Sequence, residues 1–156
     1  IREWICPCKF AVRKIPESAG ARRPLVMLII IHLSLMFAAS LCLLAGVGLA
    51  MFGRKRKFWL KGHKKLNSAG CIFLAAGGVT AFANVILAGT DHLAGLHPRI
   101  GAIAVMLAFL TLFLGFYSLK AANKSVQRMA HRWSGRLSLF AILVTLALGL
   151  AMIGIF

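Results

Sequence analysis

Four long apolar runs dominate this 156-residue chain and constrain its fold more than any other feature. They cover roughly residues Leu25–Phe52, Leu66–Thr90, Ile100–Leu119 and Leu137–Phe156. Each is about 20 residues or longer, enough for an α-helix to cross a hydrocarbon layer about 30 Å thick. A segment in lipid must satisfy its backbone hydrogen bonds internally, which leaves the helix as the spanning structure. We therefore predict an all-α, integral membrane four-helix bundle with up-down topology.

Charge is distributed as membrane proteins distribute it. The chain has 19 Lys and Arg against three Asp and Glu, a net charge of +16, yet only 14% of its residues are charged. The basic residues lie in short clusters between the apolar runs rather than along one face of a folded domain. The lipid bilayer is therefore the expected partner and nucleic acid is not. We divide the chain into a basic tail, residues 1–24, which could lie on the membrane surface, and a four-helix core, residues 25–156.

The connections between the spans predict an orientation. Four spans place both termini on one side, face A, together with the Asp91–Arg99 connection. The connections 53–65 and 120–136 lie on the other side, face B. Face B carries most of the basic residues: Arg54, Lys55, Arg56, Lys57, Lys61, Lys64, Lys65, Lys120, Lys124, Arg128, Arg132 and Arg136. The positive-inside rule predicts that face B lies on the cytosolic, stromal or matrix side, although the basic tail favours the opposite orientation.

Histidines are the most informative polar residues. Ionisable side chains in or near apolar spans are costly and mark candidate functional sites, although a single one is as often a hydrogen-bonding residue between helices. Each predicted helix contributes one histidine. His32 and His97, from the first and third helices, lie toward face A; His63 and His131, from the second and fourth, lie toward face B. Alternate helices of a four-helix bundle face each other diagonally, so each pair could hold a flat macrocycle between two imidazoles.

The ligand chemistry favours haem over other metals. Zinc and di-iron sites gather four or more ligands, often carboxylates, whereas the acidic residues Glu3, Glu17 and Asp91 all lie outside the spans. Paired imidazoles without carboxylates or thiolates fit bis-histidine haem. Because both axial positions would be filled, this arrangement predicts electron transfer rather than oxygen chemistry.

Three motifs carry a resemblance to a known family. They are Lys61-Gly-His-Lys-Lys-Leu-Asn67, Leu96-His-Pro-Arg-Ile-Gly101 and His131-Arg-Trp-Ser-Gly-Arg136. With the spacing of the four histidines, they resemble the cytochrome b561 family over about residues 25–156. Family members carry two b haems, one near each face. The resemblance implies that His32 and His97 hold one haem and that His63 and His131 hold the other.

The resemblance also bears on electron donors. Many family members have six helices, and this chain is more similar to the reduced four-helix forms of bacteria and of cyanobacterial or plastid relatives. In ascorbate-using members, lysines two and six positions before the second-helix histidine help to bind the anion, and Lys61 and Lys57 occupy those positions. The family's arginine six residues before the fourth-helix histidine is replaced by Ser125, with Lys124 and Arg128 nearby. Lys57, Lys61, Lys124 and Arg128 are therefore candidates for binding an anionic donor, and the alternative for the basic clusters is anchoring beside anionic lipid headgroups.

The resemblance implies transmembrane electron transfer from a donor at face B (ascorbate, a quinol or a protein) to an acceptor at face A. Such a protein could be a transmembrane oxidoreductase or a pure electron carrier. The alternative is an accessory or structural membrane subunit of a larger respiratory or photosynthetic complex, with the haems secondary or partly lost. As partners we consider such a complex or a second copy of the chain in a homodimer. His92, in the face A connection, has three candidate roles: a substitute ligand, a proton carrier or a plain interfacial residue.

Overall fold

The structure is a computed structural model that describes residues 19–91 and 95–154, with side chains from residue 23 onward. Its four helices are α1 (Ala19–Phe52), α2 (Trp59–Ala88), α3 (Leu96–Lys120) and α4 (Lys124–Met152). Each is long and apolar enough to cross a membrane. The prediction of an integral membrane four-helix bundle is confirmed, and His92 and most of the predicted tail lie outside the described residues.

The helices begin earlier than the apolar runs predicted. The helix α1 starts six residues before its run, within the last residues assigned to the tail. In α4 the first 13 residues, 124–136, are helical although they were predicted to be a connection. The connections on face B therefore shrink to residues 53–58 and 121–123. An apolar run marks where a helix meets hydrocarbon, whereas backbone hydrogen bonding continues into the polar zone beyond it.

Two antiparallel hairpins build the bundle. The helices α1 and α2 pack along each other, as do α3 and α4, and the two hairpins approach each other more loosely. Among the described residues, Cα atoms of the diagonal pairs α1–α3 and α2–α4 do not come within 8 Å. The α2–α3 connection begins at Gly89 (φ 65°) and ends at Gly95 (φ 104°). Both have a positive φ, a backbone conformation that favours glycine because it has no Cβ. Helices α1 and α3 are therefore diagonal to each other, as are α2 and α4, which is the arrangement that the predicted pairing of the histidines requires.

A waist of small residues closes the middle of the bundle. We use this name for four buried residues, one from each helix: Ala39, Gly70, Ala104 and Ser138. Each lies seven residues after the histidine of its own helix, which is two turns along the axis. A Cβ at Gly70 would lie 2.7 Å from the side chain of Leu43 on α1, so α1 and α2 are in close contact there. Small residues let helices approach closely in membranes, and here they separate the two ends of the bundle.

Candidate functional site

The four helical histidines form two pairs across the diagonals of the bundle. The ring centres of His32 and His97 lie 6.3 Å apart, and the ring planes meet at 88°. The ring centres of His63 and His131 lie 6.2 Å apart, also with planes at 88°. All four side chains are partly buried. The structure therefore brings together the residues that the sequence paired, in two arrangements of nearly the same geometry.

Each imidazole is anchored to a backbone carbonyl of the neighbouring helix in its own hairpin. His32 Nδ1 lies 2.8 Å from the Gly77 carbonyl oxygen, and His63 Nδ1 lies 2.8 Å from that of Gly46. In the second hairpin, His97 and His131 Nδ1 lie 3.0 Å from the carbonyl oxygens of Thr145 and Thr111, respectively. A carbonyl oxygen can only accept, so Nδ1 is the donor in every ring, and in the neutral imidazole the lone pair is then on Nε2.

The spacing of these anchors fixes the depth of the two pairs. In every helix the anchoring carbonyl lies 14 residues after the histidine: Gly46 follows His32, Gly77 follows His63, Thr111 follows His97 and Thr145 follows His131. Fourteen residues of α-helix rise about 21 Å. The two histidine levels are therefore about 21 Å apart along the bundle axis, with the waist midway between them. Both levels fit within a hydrocarbon layer about 30 Å thick.

Glycines make room for the rings in the α3–α4 hairpin. A Cβ on Gly115 would lie 2.9 Å from His131 Cε1, and one on Gly149 would lie 3.0 Å from His97 Cε1. Both distances are shorter than an ordinary carbon–carbon contact of about 3.5–4.0 Å. Each ring thus lies close to the backbone of the neighbouring helix, where a carbonyl oxygen accepts its hydrogen bond and a glycine four residues further on leaves room for it.

The two hairpins reach this geometry with opposite packing. In the α3–α4 hairpin, the residue four positions after each histidine is glycine, and it faces a threonine: Gly101 faces Thr145 and Gly135 faces Thr111. In the α1–α2 hairpin, the residue at that position is larger and faces a glycine: Met36 faces Gly77 and Asn67 faces Gly46. At each contact a glycine meets a larger side chain, and this pairing sets the distance between the two helices of each hairpin.

The geometry of each pair fits one metal ion between two imidazoles. A metal about 2 Å from each Nε2, with each nitrogen roughly 1 Å from its ring centre, separates the ring centres by about 6 Å. The observed separations of 6.3 and 6.2 Å agree with this. No group of three or more His, Cys, Asp or Glu side chains within the described ranges could hold a metal. Each pair therefore presents two imidazoles at the separation that a single metal ion between them would require.

The anchor of His32 differs from the other three. The Gly77 carbonyl oxygen accepts a second hydrogen bond from the Thr80 hydroxyl, at 2.8 Å. The hydroxyl of Thr145 bonds instead to the Ala141 carbonyl oxygen, away from the carbonyl that anchors His97. A carbonyl oxygen shared between two donors holds the imidazole N–H less strongly than one that accepts from the imidazole alone. The two histidine levels thus have different surroundings despite their matching geometry.

The basic residues expected to bind an anionic donor all lie at the face B end. Lys57 belongs to the connection 53–58, Lys61 to the first turn of α2, and Lys124 and Arg128 to the first two turns of α4. All four side chains are exposed. They surround the end of the bundle that contains the His63–His131 pair.

Sequence reasoning found the histidines but missed the residues that position them. Asn67 is one of these: its side-chain nitrogen donates to the His63 carbonyl oxygen (2.7 Å) and lies 3.0 Å from His63 Nδ1. The anchoring residues and the ring-facing glycines are the others. A signal for them existed, because α3 and α4 share the pattern His-x3-Gly-x9-Thr-x3-Gly, beginning at His97 and His131. The same spacing in two adjacent helices indicates that the four positions act together.

Comparison with known proteins gives one match. A family model described as eukaryotic cytochrome b561 matches residues 24–156. No curated protein and no solved structure matches the chain. The matched segment contains all four helical histidines and their anchors.

Proposed function

Because this chain belongs to the cytochrome b561 family, we propose that it moves electrons across a membrane through two b haems, each bound between two histidines. His32 and His97 would hold the haem toward face A, and His63 and His131 the haem toward face B. The observation that carries this proposal is the pair of ring-centre separations, 6.3 and 6.2 Å, at two levels of one membrane bundle. Haem supplies a one-electron carrier whose potential the surrounding protein adjusts.

The chain's own residues prepare the ligands. The backbone carbonyls at Gly46, Gly77, Thr111 and Thr145 orient the four rings and keep the proton on Nδ1. The coordinating Nε2 atoms are then unprotonated without any change of tautomer, and the hydrogen bond at Nδ1 raises their basicity. Because the rings are held by backbone rather than by flexible side chains, ligand positions change little between redox states. Preorganisation of this kind suits rapid electron transfer.

The waist supports the same function by keeping water away from the middle of the path. Its members Ala39, Ala104 and Ser138 are 0, 2 and 5% exposed. The two haem levels lie on either side of this closed layer. Electrons can tunnel through packed protein, whereas protons and ions need a polar or hydrated path, so the bundle favours electrons alone.

Electron entry is proposed at face B. An anionic donor such as ascorbate, or an acidic redox protein, would be attracted by Lys57, Lys61, Lys124 and Arg128 near the His63–His131 pair. The same cluster, by the positive-inside rule, would lie on the cytosolic, stromal or matrix side. The acceptor would then take electrons at face A, from the His32–His97 level.

Haem stoichiometry tests the ligand assignment. We expect a pyridine haemochrome assay to give two haems per chain for the purified wild type. His32→Ala and His131→Ala should each retain one haem, because each removes a ligand from a different level. His92→Ala is the matched control, a histidine of the face A connection, and should retain two.

The assignment fails if either helical variant keeps both haems, or if His92→Ala loses one. A wild type that holds no haem, together with histidine variants that still assemble into a large complex, would favour the accessory-subunit alternative. Native gel electrophoresis of the same samples separates these two outcomes.

A further inference from the structure

The first half of α4 carries a row of basic side chains, here called the α4 ridge: Lys124, Arg128, Arg132 and Arg136. Their spacing of four residues places successive members one turn apart, so the row is about 18 Å long. All four side chains are exposed. Among the residues that the structure describes, the acidic one is Asp91, at the opposite end of the bundle, so these residues offer the ridge no nearby carboxylate.

The register between α3 and α4 shows how deep the ridge extends. His131 is bonded to the Thr111 carbonyl oxygen, so these residues share one level of the bundle. Arg132 follows His131 directly, and Arg136 lies about 6 Å further from face B than Arg132 along the helix. At this depth the neighbouring helix α3 exposes apolar side chains such as Phe113, which is 64% exposed. The deep half of the ridge therefore lies beside a surface that contacts lipid.

The two histidine levels locate the hydrocarbon boundary. If the levels, about 21 Å apart, are centred in a layer about 30 Å thick, each lies about 5 Å inside a boundary. Lys124 and Arg128 then lie at or beyond the boundary on face B, whereas Arg132 and Arg136 start within the hydrocarbon. A guanidinium at this depth needs a partner anion, even where its side chain extends toward the headgroups.

We propose that Arg132 and Arg136 bind the headgroup of an anionic phospholipid at the outer surface of α4. Two arginines one turn apart can hold one phosphate through paired hydrogen bonds. The adjoining surface is apolar: Trp133, Leu137 and Phe140 are each more than half exposed. The Arg136 guanidinium also lies 5.2 Å from the centre of the Trp133 ring. A charged site continuous with exposed apolar side chains fits an amphiphile, which distinguishes a lipid from a soluble anion.

Lipid retention tests this proposal. The protein would be reconstituted with equal amounts of phosphatidylglycerol and phosphatidylcholine, extracted in detergent, and its bound lipids counted by native mass spectrometry. We expect the wild type to retain phosphatidylglycerol preferentially. In Arg132→Gln/Arg136→Gln this preference should fall roughly twenty-five-fold, because each of the two arginines contributes about a fivefold effect. The matched control is Lys55→Gln/Arg56→Gln, which removes two exposed charges from the connection 53–58 and should keep the preference.

Several results would overturn it. If both double variants lose the phosphatidylglycerol preference equally, the lipid is attracted by positive charge in general and not by these two arginines. Displacement of the retained lipid by soluble glycerophosphate would mean that the site takes a free anion. If the glutamine variant fails to fold, judged by circular dichroism, Arg132→Lys/Arg136→Lys keeps the charge but removes the planar guanidinium groups. That variant should show an intermediate preference, and an unchanged preference would also contradict the proposal.

Discussion

Replacing Gly115 by alanine tests whether the missing side chain at this position holds the His131 ring in place. The added Cβ would lie 2.9 Å from His131 Cε1 and 3.2 Å from Nδ1. An ordinary contact needs about 3.5 Å or more, so the ring has to move by roughly half an ångström. Its Nδ1 is bonded to the Thr111 carbonyl oxygen at 3.0 Å, and movement away from Gly115 strains that bond.

The expected cost follows from two opposing terms. Alanine in place of glycine favours a helix by about 1 kcal/mol. Forcing an extra methyl group into a packed contact costs about 1–3 kcal/mol. The net change in stability is therefore between neutral and about 2 kcal/mol unfavourable, and the ring absorbs most of the displacement. We expect the face B haem to be bound weakly or lost, while the face A haem stays.

The assay compares Gly115→Ala with Gly78→Ala, since a Cβ on Gly78 would meet nothing within 4 Å. Both variants gain the same helix propensity, and only one approaches an imidazole. Haem per chain and the thermal unfolding midpoint would be measured for both. We expect Gly78→Ala to keep two haems with an equal or higher midpoint. If Gly115→Ala behaves in the same way, the glycine is not what positions the ring.

Gly149→Ala should weaken the binding of the face A haem, because its Cβ would lie 3.0 Å from His97 Cε1. Comparing its haem content with that of the histidine variants identifies which haem is lost. Thr80→Val should lower the midpoint potential of the face A haem. Without the Thr80 hydroxyl, the Gly77 carbonyl oxygen bonds the His32 N–H more strongly, which makes His32 a more basic ligand. Thr145→Val, whose hydroxyl bonds elsewhere, should leave both potentials nearly unchanged in the same spectroelectrochemical titration. Lys61→Gln should slow reduction by an anionic donor about fivefold and reduce its salt dependence in stopped-flow measurements. A neutral donor that is slowed as much would contradict an electrostatic role.

Much of the architecture was predictable because the membrane simplifies the problem. Long apolar runs can form little other than helices in lipid, so helix number and order followed from hydropathy alone. The diagonal pairing of His32 with His97 also followed, since an up-down bundle places alternate helices opposite each other. The helix ends did not follow. In α4 the polar residues 124–136 interrupt the apolar pattern without interrupting the helix, whose start is marked only by Asn123, a capping residue whose side chain accepts from the Val126 N–H.

The residues around the rings were harder to predict than the ligands. A histidine in or just beside an apolar run is conspicuous because it is costly there, whereas a glycine or threonine in a membrane helix is ordinary. Gly115 and Gly149 acquire their role only when α4 is laid against α3 in one register. The Thr80 hydroxyl is similar, because nothing in the sequence indicates that the carbonyl it bonds also anchors a ring from α1.

The sequence by itself determined that this chain forms four membrane helices and that each contributes one histidine, because hydrocarbon penalises any other backbone and any unneeded polar group. The tertiary structure alone decided the distance between paired rings, the carbonyl that anchors each one and the small residues that admit it. Those features depend on the relative register of helices far apart in the chain, which hydropathy does not encode. The 14-residue spacing from each histidine to the anchoring carbonyl of its own helix belongs to both. The spacing can be read in the sequence, but only the antiparallel packing shows that the carbonyl bonds a histidine of the neighbouring helix.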